Sequence, residues 1–248
     1  MSQPPRDFEM EFLQSETGGD PLYIDMAIAV IIGNHKDSVP LTQQAIDRGD
    51  APTAILNQGL VAGMAIVGER FRKNEIFVPE VLIAARAMKA AMVLLRPLLT
   101  LTGAKPLGLA VMGTVRGDLH DIGKNIVGMM WEGAGMQIIE LGVDVSAEKF
   151  VKAVREHKPQ VVGLSAMLTT TMLNMKVTID ALKAAGLRDS IKVLVGGAPV
   201  SKKFAAEIGA DGWGENASHA VELVKQMLKA ESEAPTPADA PAGAAVSR

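Results

Sequence analysis

The chain has 248 residues, 48% of them apolar, and a formal net charge of −3. That length is enough for one large domain or two modest ones, each with a buried core, and the near-neutral charge lacks the clustered basic face typical of nucleic-acid binding. Because cysteine is absent, disulfides, thiolate nucleophiles and cysteine-ligated metal sites are excluded.

The N-terminal segment carries no targeting or membrane signal. The first residues, MSQPPRDFEMEF, lack the basic-then-apolar pattern of a secretion signal, and the apolar segment 24–32 contains Asp25 and is too short to span a bilayer. We therefore expect a cytoplasmic chain with no nucleic-acid or membrane partner. Residues 1–19 are predicted to be a flexible N-terminus, because chain ends are usually loosely held.

Residues 20–103 have the spacing of amphipathic helices and predict a bundle of about four. Asp20 and Asp50 each precede a helix start that contains proline, and each is predicted to cap its helix. The last helix is predicted to end near Pro97, because proline interrupts a helix. The predicted buried stripes are Leu60, Met64, Val67 and Phe71 in one helix, and Val81, Ala85, Met88, Met92 and Leu95 in another.

After the turn-rich segment 101–106, short apolar runs alternate with amphipathic stretches of helix length. The predicted strands are LGLAVMG, MQIIELG, QVVGLSA, KVLVGG and a weaker ADGW. Apolar strands alternating with helices indicate an α/β fold with a parallel sheet covered on both faces, and five strands favour the flavodoxin-like, doubly wound type. We expect a helical bundle at 20–103 and an α/β domain at 104–230. Residues 231–248, rich in Pro and Ala, predict a disordered tail.

The segment GTVRGDLHDIGKNIV, residues 113–127, places His120 between two aspartates just beyond the first predicted strand. A phosphate loop is disfavoured, because the glycines form neither GxGxxG nor GxxxxGK[ST]. A nucleophilic triad of Ser165, His120 and Asp118 is disfavoured, because Ser165 does not stand in a GxSxG elbow. Two interpretations remain, a solvated loop without function and a metal ligand.

A metal ligand is the interpretation that the neighbours of His120 favour. A neutral imidazole binds metal through one nitrogen, and its other N–H needs an acceptor that Asp118, two residues earlier, can supply. We expect Ser165 to hydrogen-bond Asp118 in turn. No second His or Cys lies nearby to complete a tetrahedral zinc site. A single protein ligand suits a metal whose other positions are filled by a macrocycle.

The same residues resemble the motifs of a known family. GDLHDIGKNIV matches the DxHxxG motif of cobalamin-binding domains, with Asp118, His120 and Gly123 in the motif positions. The family's serine motif, usually S-x-L, corresponds to 165–167 with methionine in place of leucine, a volume-conserving change. Its double glycine corresponds to 196–197.

The helical segment upstream is similar to the cap of methionine synthase and of corrinoid proteins in methyltransferase systems. Asn74 stands at a turn position where the family often has glycine, and asparagine tolerates the left-handed conformation that such a turn needs. In total, the resemblance covers residues 20–230.

The resemblance implies that His120 is the lower axial ligand of cobalt in cobalamin, with Asp118 and Ser165 as a relay behind it and no residue catalytic alone. The nucleotide tail of the cofactor would enter a slot in the α/β domain, and the segment GWGENAS, 212–218, would close the far end of that slot. The helical cap would cover the reactive face. The other contacts implied in the α/β domain are Asp121, Ile122, Gly123, Leu168, Thr169, Gly196, Gly197 and Ala217. Those implied in the cap are Phe77, Glu80 and Val81.

The resemblance also implies a function, that of a corrinoid methyl carrier which is not an enzyme by itself. A substrate-specific methyltransferase would load the cobalt with a methyl group, and a second methyltransferase would pass it to tetrahydrofolate or a thiol. A reductive activator is the third implied partner. The sequence shows neither a zinc-thiolate site nor a barrel of eight strand–helix units that would supply the transferase activities itself.

Other functions are compatible with parts of the same pattern. A cobalamin-dependent light sensor would carry a DNA-binding domain and a tryptophan in its cap, whereas Trp131 and Trp213 both fall in the α/β half. A mutase subunit would bind adenosylcobalamin and normally comes with a barrel. A receiver-like signalling module would need a clustered acidic pocket and a lysine on a late strand. An adenosylcobalamin-binding sensor or mutase subunit is therefore the main competing function.

Overall fold

The structure, a computed structural model, describes residues 3–103 and 106–233 of the chain. Helices occupy the first part, and a single five-stranded parallel sheet flanked by helices occupies the second. This confirms the predicted fold class, a helical bundle followed by a flavodoxin-like, doubly wound sheet. Within the described ranges, no helix is both long and apolar enough to cross a membrane.

The helical part is built from helices α1 to α6. Their bounds are Asp7–Glu16 (α1), Pro21–Ile31 (α2), His35–Asp47 (α3), Pro52–Ala54 (α4), Ala62–Arg72 (α5) and Val78–Leu101 (α6). A π-helical segment, Ile55–Val61, joins α4 to α5, so that 52–72 is one continuous helical run. The four long helical runs of the predicted bundle are therefore present, and α1 is an addition.

The two predicted caps have different outcomes. Asp20 is the N-cap of α2, where its carboxylate accepts a backbone N–H of the first turn at 2.9 Å, as predicted. The N-cap of α4 is Ala51, so the prediction for Asp50 is wrong. The Asp50 carboxylate instead accepts hydrogen bonds from the Tyr23 hydroxyl at 2.9 Å and the Arg48 guanidinium at 2.6 Å.

The predicted apolar stripes face the core of the bundle, but α6 is longer than predicted. Buried members of the stripes are Leu60, Met64, Val67, Val81, Ala85, Met88 and Leu95. Helix α6 continues to Leu101 instead of ending near Pro97. Proline at 97 removes the hydrogen bond to the carbonyl of Val93. Both residues are exposed, so water can solvate that carbonyl, and the helix continues.

The N-terminal segment 1–19, predicted to be flexible, contains helix α1, and its residues 1 and 2 lie outside the described residues. Leu13 is fully buried in the bundle core. The Glu9 carboxylate pairs with Arg70 of α5 at 2.7 Å, and each of these side chains is only 5% exposed. Arg70 also donates hydrogen bonds to two backbone carbonyls of the N-terminal segment. The local sequence does not reveal this anchor, because Arg70 lies 61 residues further along the chain than Glu9.

The sheet places the ends of its strands side by side. Its strands are Leu109–Thr114 (β1), Gln137–Glu140 (β2), Val161–Ser165 (β3), Lys192–Gly196 (β4) and Gly212–Gly214 (β5). All five were predicted, and they pair in parallel in the order β2-β1-β3-β4-β5. Across four of them, one row joins Thr114, Ser165, Gly196 and Gly214. The loops that follow these residues therefore share one edge, where doubly wound folds bind ligands.

Helices cover both faces of the sheet. They are Ile122–Gly133 (α7), Ala147–His157 (α8), Leu173–Ala184 (α9), Lys202–Glu207 (α10) and Ala217–Glu233 (α11), with a 3-10 turn at Arg188–Ser190. Trp131 of α7 and Val224 of α11 pack on one face, and Phe150 of α8 and Ile179 of α9 on the other. The core of the helical bundle continues into α7 through Met130. The bundle therefore packs on the side of the sheet covered by α7 and α11.

Part of the predicted C-terminal tail is helical. Helix α11 runs through Glu233, so residues 231–233 are helical and not part of a tail. The rest of the predicted tail, 234–248, lies outside the described residues. So do residues 104 and 105, next to which the boundary between the two domains is predicted.

Candidate functional site

The loop after β1 carries His120 at the carboxyl edge of the sheet. Gly117 turns the chain with a φ of +80°, a left-handed conformation that favours glycine. The Thr114 hydroxyl, at the end of β1, donates a hydrogen bond to the His120 carbonyl at 2.9 Å. Helix α7 begins two residues after His120. The backbone of His120 is therefore held between the end of a strand and the start of a helix.

Asp118 is fully buried behind the His120 ring. Its Oδ1 atom accepts the His120 backbone N–H at 3.1 Å and lies 2.7 Å from ring atom Nδ1. Its Oδ2 atom accepts the Met167 N–H at 2.7 Å and the Thr171 hydroxyl at 2.6 Å. Burial opposes ionisation, but these hydrogen bonds outweigh it and hold the pKa of the Asp118 carboxyl well below its ordinary value. Asp118 is therefore an anionic acceptor in a fixed position.

An anionic acceptor beside Nδ1 sets the roles of the two ring nitrogens of His120. Nδ1 carries the ring proton and donates a hydrogen bond to Asp118, so Nε2 keeps its lone pair. The His120 side chain is 56% exposed. The arrangement offers one imidazole nitrogen as a metal ligand. In the part of the chain that the structure describes, no group of three or more His, Cys, Asp or Glu side chains could hold a metal ion.

A cavity of about 360 Å³ opens beside His120 along the carboxyl edge of the sheet. Its walls come from α7, α11, the ends of four strands and one residue of the helical part, Phe71. Apolar side chains dominate the wall, among them Met112 and Trp131. The indole N–H of Trp213, also in the wall, is buried and has no hydrogen-bond partner within the described residues. The cavity suits a largely apolar group that brings a hydrogen-bond acceptor.

The double glycine forms a part of the cavity wall where two backbones approach closely. Gly197 has a φ of +124°, and a Cβ there would lie 1.8 Å from the Ala166 carbonyl oxygen. Any side chain at 197 would therefore push the loop after β4 away from the loop after β3. A Cβ at Gly123, by contrast, would meet no atom within 4 Å. Gly123 thus leaves open space beside His120.

The predicted contact residues of the α/β domain fall into two groups. Those that line the cavity are His120, Gly123, Ser165, Gly196, Gly197 and Ala217. Those that lie outside its wall are Asp118, Asp121, Ile122, Leu168 and Thr169. Ile122 and Leu168 are 72% and 44% exposed. Ile122 follows His120 by two residues, and Leu168 follows Met167, whose N–H bonds Asp118.

The relay behind His120 differs from the expected one. The side-chain hydroxyl that donates a hydrogen bond to Asp118 is that of Thr171, whereas this bond was expected from Ser165. Ser165 is the last residue of β3 and lines the cavity. Thr171 is the last of three consecutive threonines, and the structure buries it while Thr169 and Thr170 are exposed. The local sequence does not distinguish these three hydroxyls, because only the fold decides which one turns towards Asp118.

The three predicted cap contacts do not line the cavity. Val81 is fully buried in the bundle core, so its side chain packs against other helices. The Glu80 carboxylate accepts the Phe77 N–H at 3.0 Å and caps the first turn of α6. Phe77 is 64% exposed, which makes it the one of the three that presents its whole ring. Asn74 has a φ of +57°, which confirms the predicted left-handed turn before α6.

One aromatic residue of the cavity wall was missed as a site residue. Phe71 was predicted only as the last residue of a buried stripe, yet it packs against the bundle core and also lines the cavity. Trp213 falls in GWGENAS, the segment expected to close the far end of the slot, and it lines the cavity. Nothing local in that segment indicates that the indole N–H of Trp213 would be buried without a partner among the described residues.

Comparison with known proteins finds matches for both parts of the chain. Residues 108–222 and residues 24–96 each match a family model described as a B12 binding domain. A corrinoid protein of Desulfitobacterium hafniense (strain Y51) is 44% identical over 203 residues, covering 81% of this chain and 94% of that protein. Trimethylamine corrinoid protein 2 of Methanosarcina mazei is 44% identical over 191 residues, covering 76% of this chain and 88% of that protein.

Two solved structures resemble the whole architecture. A cobalamin-binding protein from Desulfitobacterium hafniense DCB-2 has a TM-score of 0.68 at 35% identity, covering 83% of this chain and 98% of that chain. A chain of the methanol:cobalamin methyltransferase complex MtaBC from Methanosarcina barkeri has a TM-score of 0.78 at 30% identity, covering 92% of this chain and 86% of that chain.

The fold and the site together define a cobalamin-binding protein whose cofactor domain follows a helical domain. Similarity to its relatives over more than three quarters of its length shows that this chain belongs to the family of corrinoid proteins from methyltransferase systems, and its cofactor is cobalamin. The residues present fit that cofactor. A single imidazole backed by Asp118 suits a metal held by a macrocycle, and the adjoining apolar cavity has the unpartnered N–H of Trp213 for a polar atom of the tail.

Proposed function

We propose that this chain is a methyl carrier in which His120 would be the protein ligand that holds the cobalt of cobalamin. The observation that carries the proposal is the His120–Asp118 pair, in which Nδ1 lies 2.7 Å from a buried carboxylate and leaves Nε2 available. When bound, cobalamin supplies a cobalt ion that accepts and releases a methyl group. Support for the carrier role comes from a relative named trimethylamine corrinoid protein 2 and from a similar chain in a methanol:cobalamin methyltransferase complex.

Asp118 would control the proton on the ligand. The carboxylate keeps the proton on Nδ1 of His120, which raises the electron density at Nε2 and strengthens it as a ligand. The half-exposed His120 ring would then present Nε2 to the metal, while Asp118 would hold the proton on Nδ1 and fix the orientation of the ring.

The cavity would hold the nucleotide tail, and the helical domain would cover the reactive face. Gly196, Gly197 and Ala217 keep the cavity wall free of large side chains, and the Ser165 hydroxyl faces the same space. In the helical domain, 20–103, Phe77 is the proposed contact with the reactive face, because its ring is exposed. The full burial of Val81 and the capping bond of Glu80 argue that these two act through α6 rather than by direct contact.

We further propose three partners. A substrate-specific methyltransferase loads the carrier, a second methyltransferase unloads it to tetrahydrofolate or a thiol, and a reductive activator restores the reduced cobalt. Methylamines are the first donors to test, because relatives at 42 to 44% identity are named trimethylamine, dimethylamine and monomethylamine corrinoid proteins. Methanol is the next, because the methanol:cobalamin methyltransferase complex contains a similar chain.

The ligand assignment is tested by electron paramagnetic resonance. The protein is produced with isotope-labelled histidine, loaded with hydroxocobalamin and reduced by one electron, so that the unpaired spin reports the axial nitrogen. We expect the nitrogen splitting to change with the label, since that nitrogen then belongs to the protein and not to the cofactor. His120→Ala should abolish this signal, whereas the control His157→Ala, at the end of α8, should keep it. A nitrogen splitting that is the same with and without labelled histidine would overturn the assignment.

The carrier role is tested with the loaded, reduced chain and a candidate methyltransferase. We expect the protein-bound corrinoid to gain a methyl group from trimethylamine only when the methyltransferase is present, as read by mass spectrometry of the extracted cofactor. Recovery of an adenosyl group as the upper ligand of the protein isolated from its host would instead favour an adenosylcobalamin sensor or mutase subunit.

A further inference from the structure

Asp144, in the segment between β2 and α8, has an unusual backbone conformation. Its φ is +51°, one of three left-handed conformations of non-glycine residues within the described ranges, the others being at Asn74 and Lys158. Aspartate tolerates this region better than most residues, but it persists only where surrounding contacts hold it. The side chain is exposed, so burial in a core does not explain the conformation.

The contacts that hold Asp144 all involve the His120 loop. Its Oδ1 atom accepts the Gly117 N–H at 2.7 Å. Its own backbone N–H donates to the Asp118 carbonyl at 3.0 Å. Asp144 therefore holds two consecutive loop residues, as an acceptor for Gly117 and as a donor to Asp118. Those two residues immediately precede Leu119 and the cobalt ligand His120.

The same β2–α8 segment, residues 140–145, also contacts the other side of the loop. Glu140 pairs with Nζ of Lys124 at 2.7 Å, and the Lys124 side chain, in the first turn of α7, is only 2% exposed. Lys124 also donates to the Asn125 side chain at 2.7 Å, which in turn donates to Asp121 at 3.0 Å. Because a buried ammonium group needs such partners, the Lys124 side chain has little conformational freedom. The segment thus holds residues on both sides of His120.

We propose that Asp144 is a positioning residue for His120. By holding Gly117 and Asp118 in place, it presents Asp118 to Nδ1 and aims the imidazole before cobalamin arrives, so that little ordering is left to binding. This proposal rests on the assignment of His120 as the cobalt ligand. It assigns Asp144 a role in the strength of the cobalt–imidazole bond and none in contact with the cofactor.

The test compares two glycine substitutions at left-handed positions. Asp144→Gly removes the carboxylate that binds Gly117, and Lys158→Gly is the matched control at the end of α8, where φ is +49°. Glycine adopts the left-handed conformation without strain at both positions, so both variants should fold. Asp144→Gly should melt close to the wild-type temperature, because the relieved backbone conformation offsets the lost hydrogen bond. For Asp144→Gly we expect the Kd of hydroxocobalamin to rise by about three- to tenfold, the range for loss of one net hydrogen bond. Lys158→Gly should bind as the wild type does.

A spectroscopic readout separates positioning from general stability. In Asp144→Gly loaded with hydroxocobalamin and reduced by one electron, we expect a smaller fraction of cobalt to show the histidine-derived nitrogen splitting. Asp144→Asn keeps an oxygen acceptor and tolerates the left-handed conformation, so it should restore both the Kd and the splitting.

Three outcomes would overturn the proposal. They are wild-type binding and splitting in Asp144→Gly, equal losses in Lys158→Gly, and failure of Asp144→Asn to restore the signal. The failure of the proposed function would look different. In that case the wild-type protein itself would lack a histidine-derived splitting, whatever residue stands at position 144.

Discussion

Two buried carboxylates, one in each part of the molecule, are held in opposite ways. Glu9, in the helical part, accepts hydrogen bonds from the charged guanidinium groups of Arg70 and Arg6. Asp118, in the α/β part, accepts hydrogen bonds from a hydroxyl, backbone N–H groups and an imidazole. Burial opposes the ionisation of both carboxyls, but the hydrogen bonds hold the pKa of each below its ordinary value.

The difference between the two lies in what the carboxylate leaves available. Glu9 neutralises Arg70 within the protein, so nothing remains for a ligand, and the pair ties α1 to α5. The donors of Asp118 are arranged so that the imidazole keeps one nitrogen free beside a cavity. A buried acid with a lowered pKa is thus a structural anchor when its partners are charged side chains. It is a candidate functional residue when one of its partners is a half-exposed imidazole.

The largest expected effect is the loss of the anchor. Arg70→Met leaves the Glu9 carboxylate in the core without its buried partner, and breaking a buried ion pair in this way costs about 3 to 5 kcal/mol. Urea unfolding of the purified protein would measure the loss. The control is Arg72→Met, which removes an exposed arginine paired with Glu69 and should unfold at the wild-type urea concentration.

The double variant Glu9→Met with Arg70→Met sharpens the same comparison. Replacing both side chains by apolar ones removes the carboxylate that has lost its buried partner, so most of the stability should return. Cobalamin binding should stay close to the wild-type level in the double variant, because the anchor does not touch the His120 loop. If Arg70→Met loses cofactor and the double variant does not recover it, the two regions are coupled. The two carboxylates would then not act independently.

A somewhat smaller effect is expected from pH. The arginines hold the pKa of Glu9 at about 2, against 4.5 ordinarily, so the folded state binds this proton less readily than the unfolded state. Its contribution to stability is therefore complete above the ordinary pKa and is lost as the pH falls towards the folded-state value. That contribution is up to about 3 kcal/mol, because one pKa unit corresponds to about 1.4 kcal/mol.

Glu9→Gln provides the measurement for this pH dependence. The difference in free energy of unfolding between wild type and Glu9→Gln should be large near neutral pH and should shrink as the solution is acidified below the ordinary glutamate pKa. Urea unfolding at a series of pH values would give the curve. A difference that stayed constant down to strongly acidic solution would mean that the arginines do not lower the pKa of Glu9.

Much of the fold and the centre of the site could be predicted because their signals are local. The five strands are short apolar runs, and Asp118 and His120 are two residues apart, so their hydrogen bond needs only one turn of chain. Helix α1 could not be predicted in this way, because its anchor Arg70 is remote in sequence. The same limit applies to Thr171, whose hydroxyl lies 53 residues from Asp118 along the chain and meets it only after β1 and β3 have paired.

The smallest expected effect concerns the second oxygen of Asp118. Thr171→Val keeps the shape of the side chain but removes the hydroxyl that donates to Oδ2, while the Met167 N–H remains. Because the acceptor is charged, we expect a loss of about 1 to 2 kcal/mol in the free energy of unfolding, measured in urea. Thr170→Val, at the exposed neighbour, should change nothing, and Thr171→Ser should restore most of the loss.

Thr171→Val also tests whether the neutral donors matter for the ligand and not only for the fold. With one donor fewer, Asp118 is less firmly held and a poorer partner for Nδ1, so the hydroxocobalamin-loaded variant should release cofactor faster than the wild type on dilution. Glu9→Gln, which removes the charge of the other buried acid, should not change that rate although it lowers stability more. If both substitutions sped release equally, stability alone would set cofactor retention, and the two carboxylates would not differ in kind.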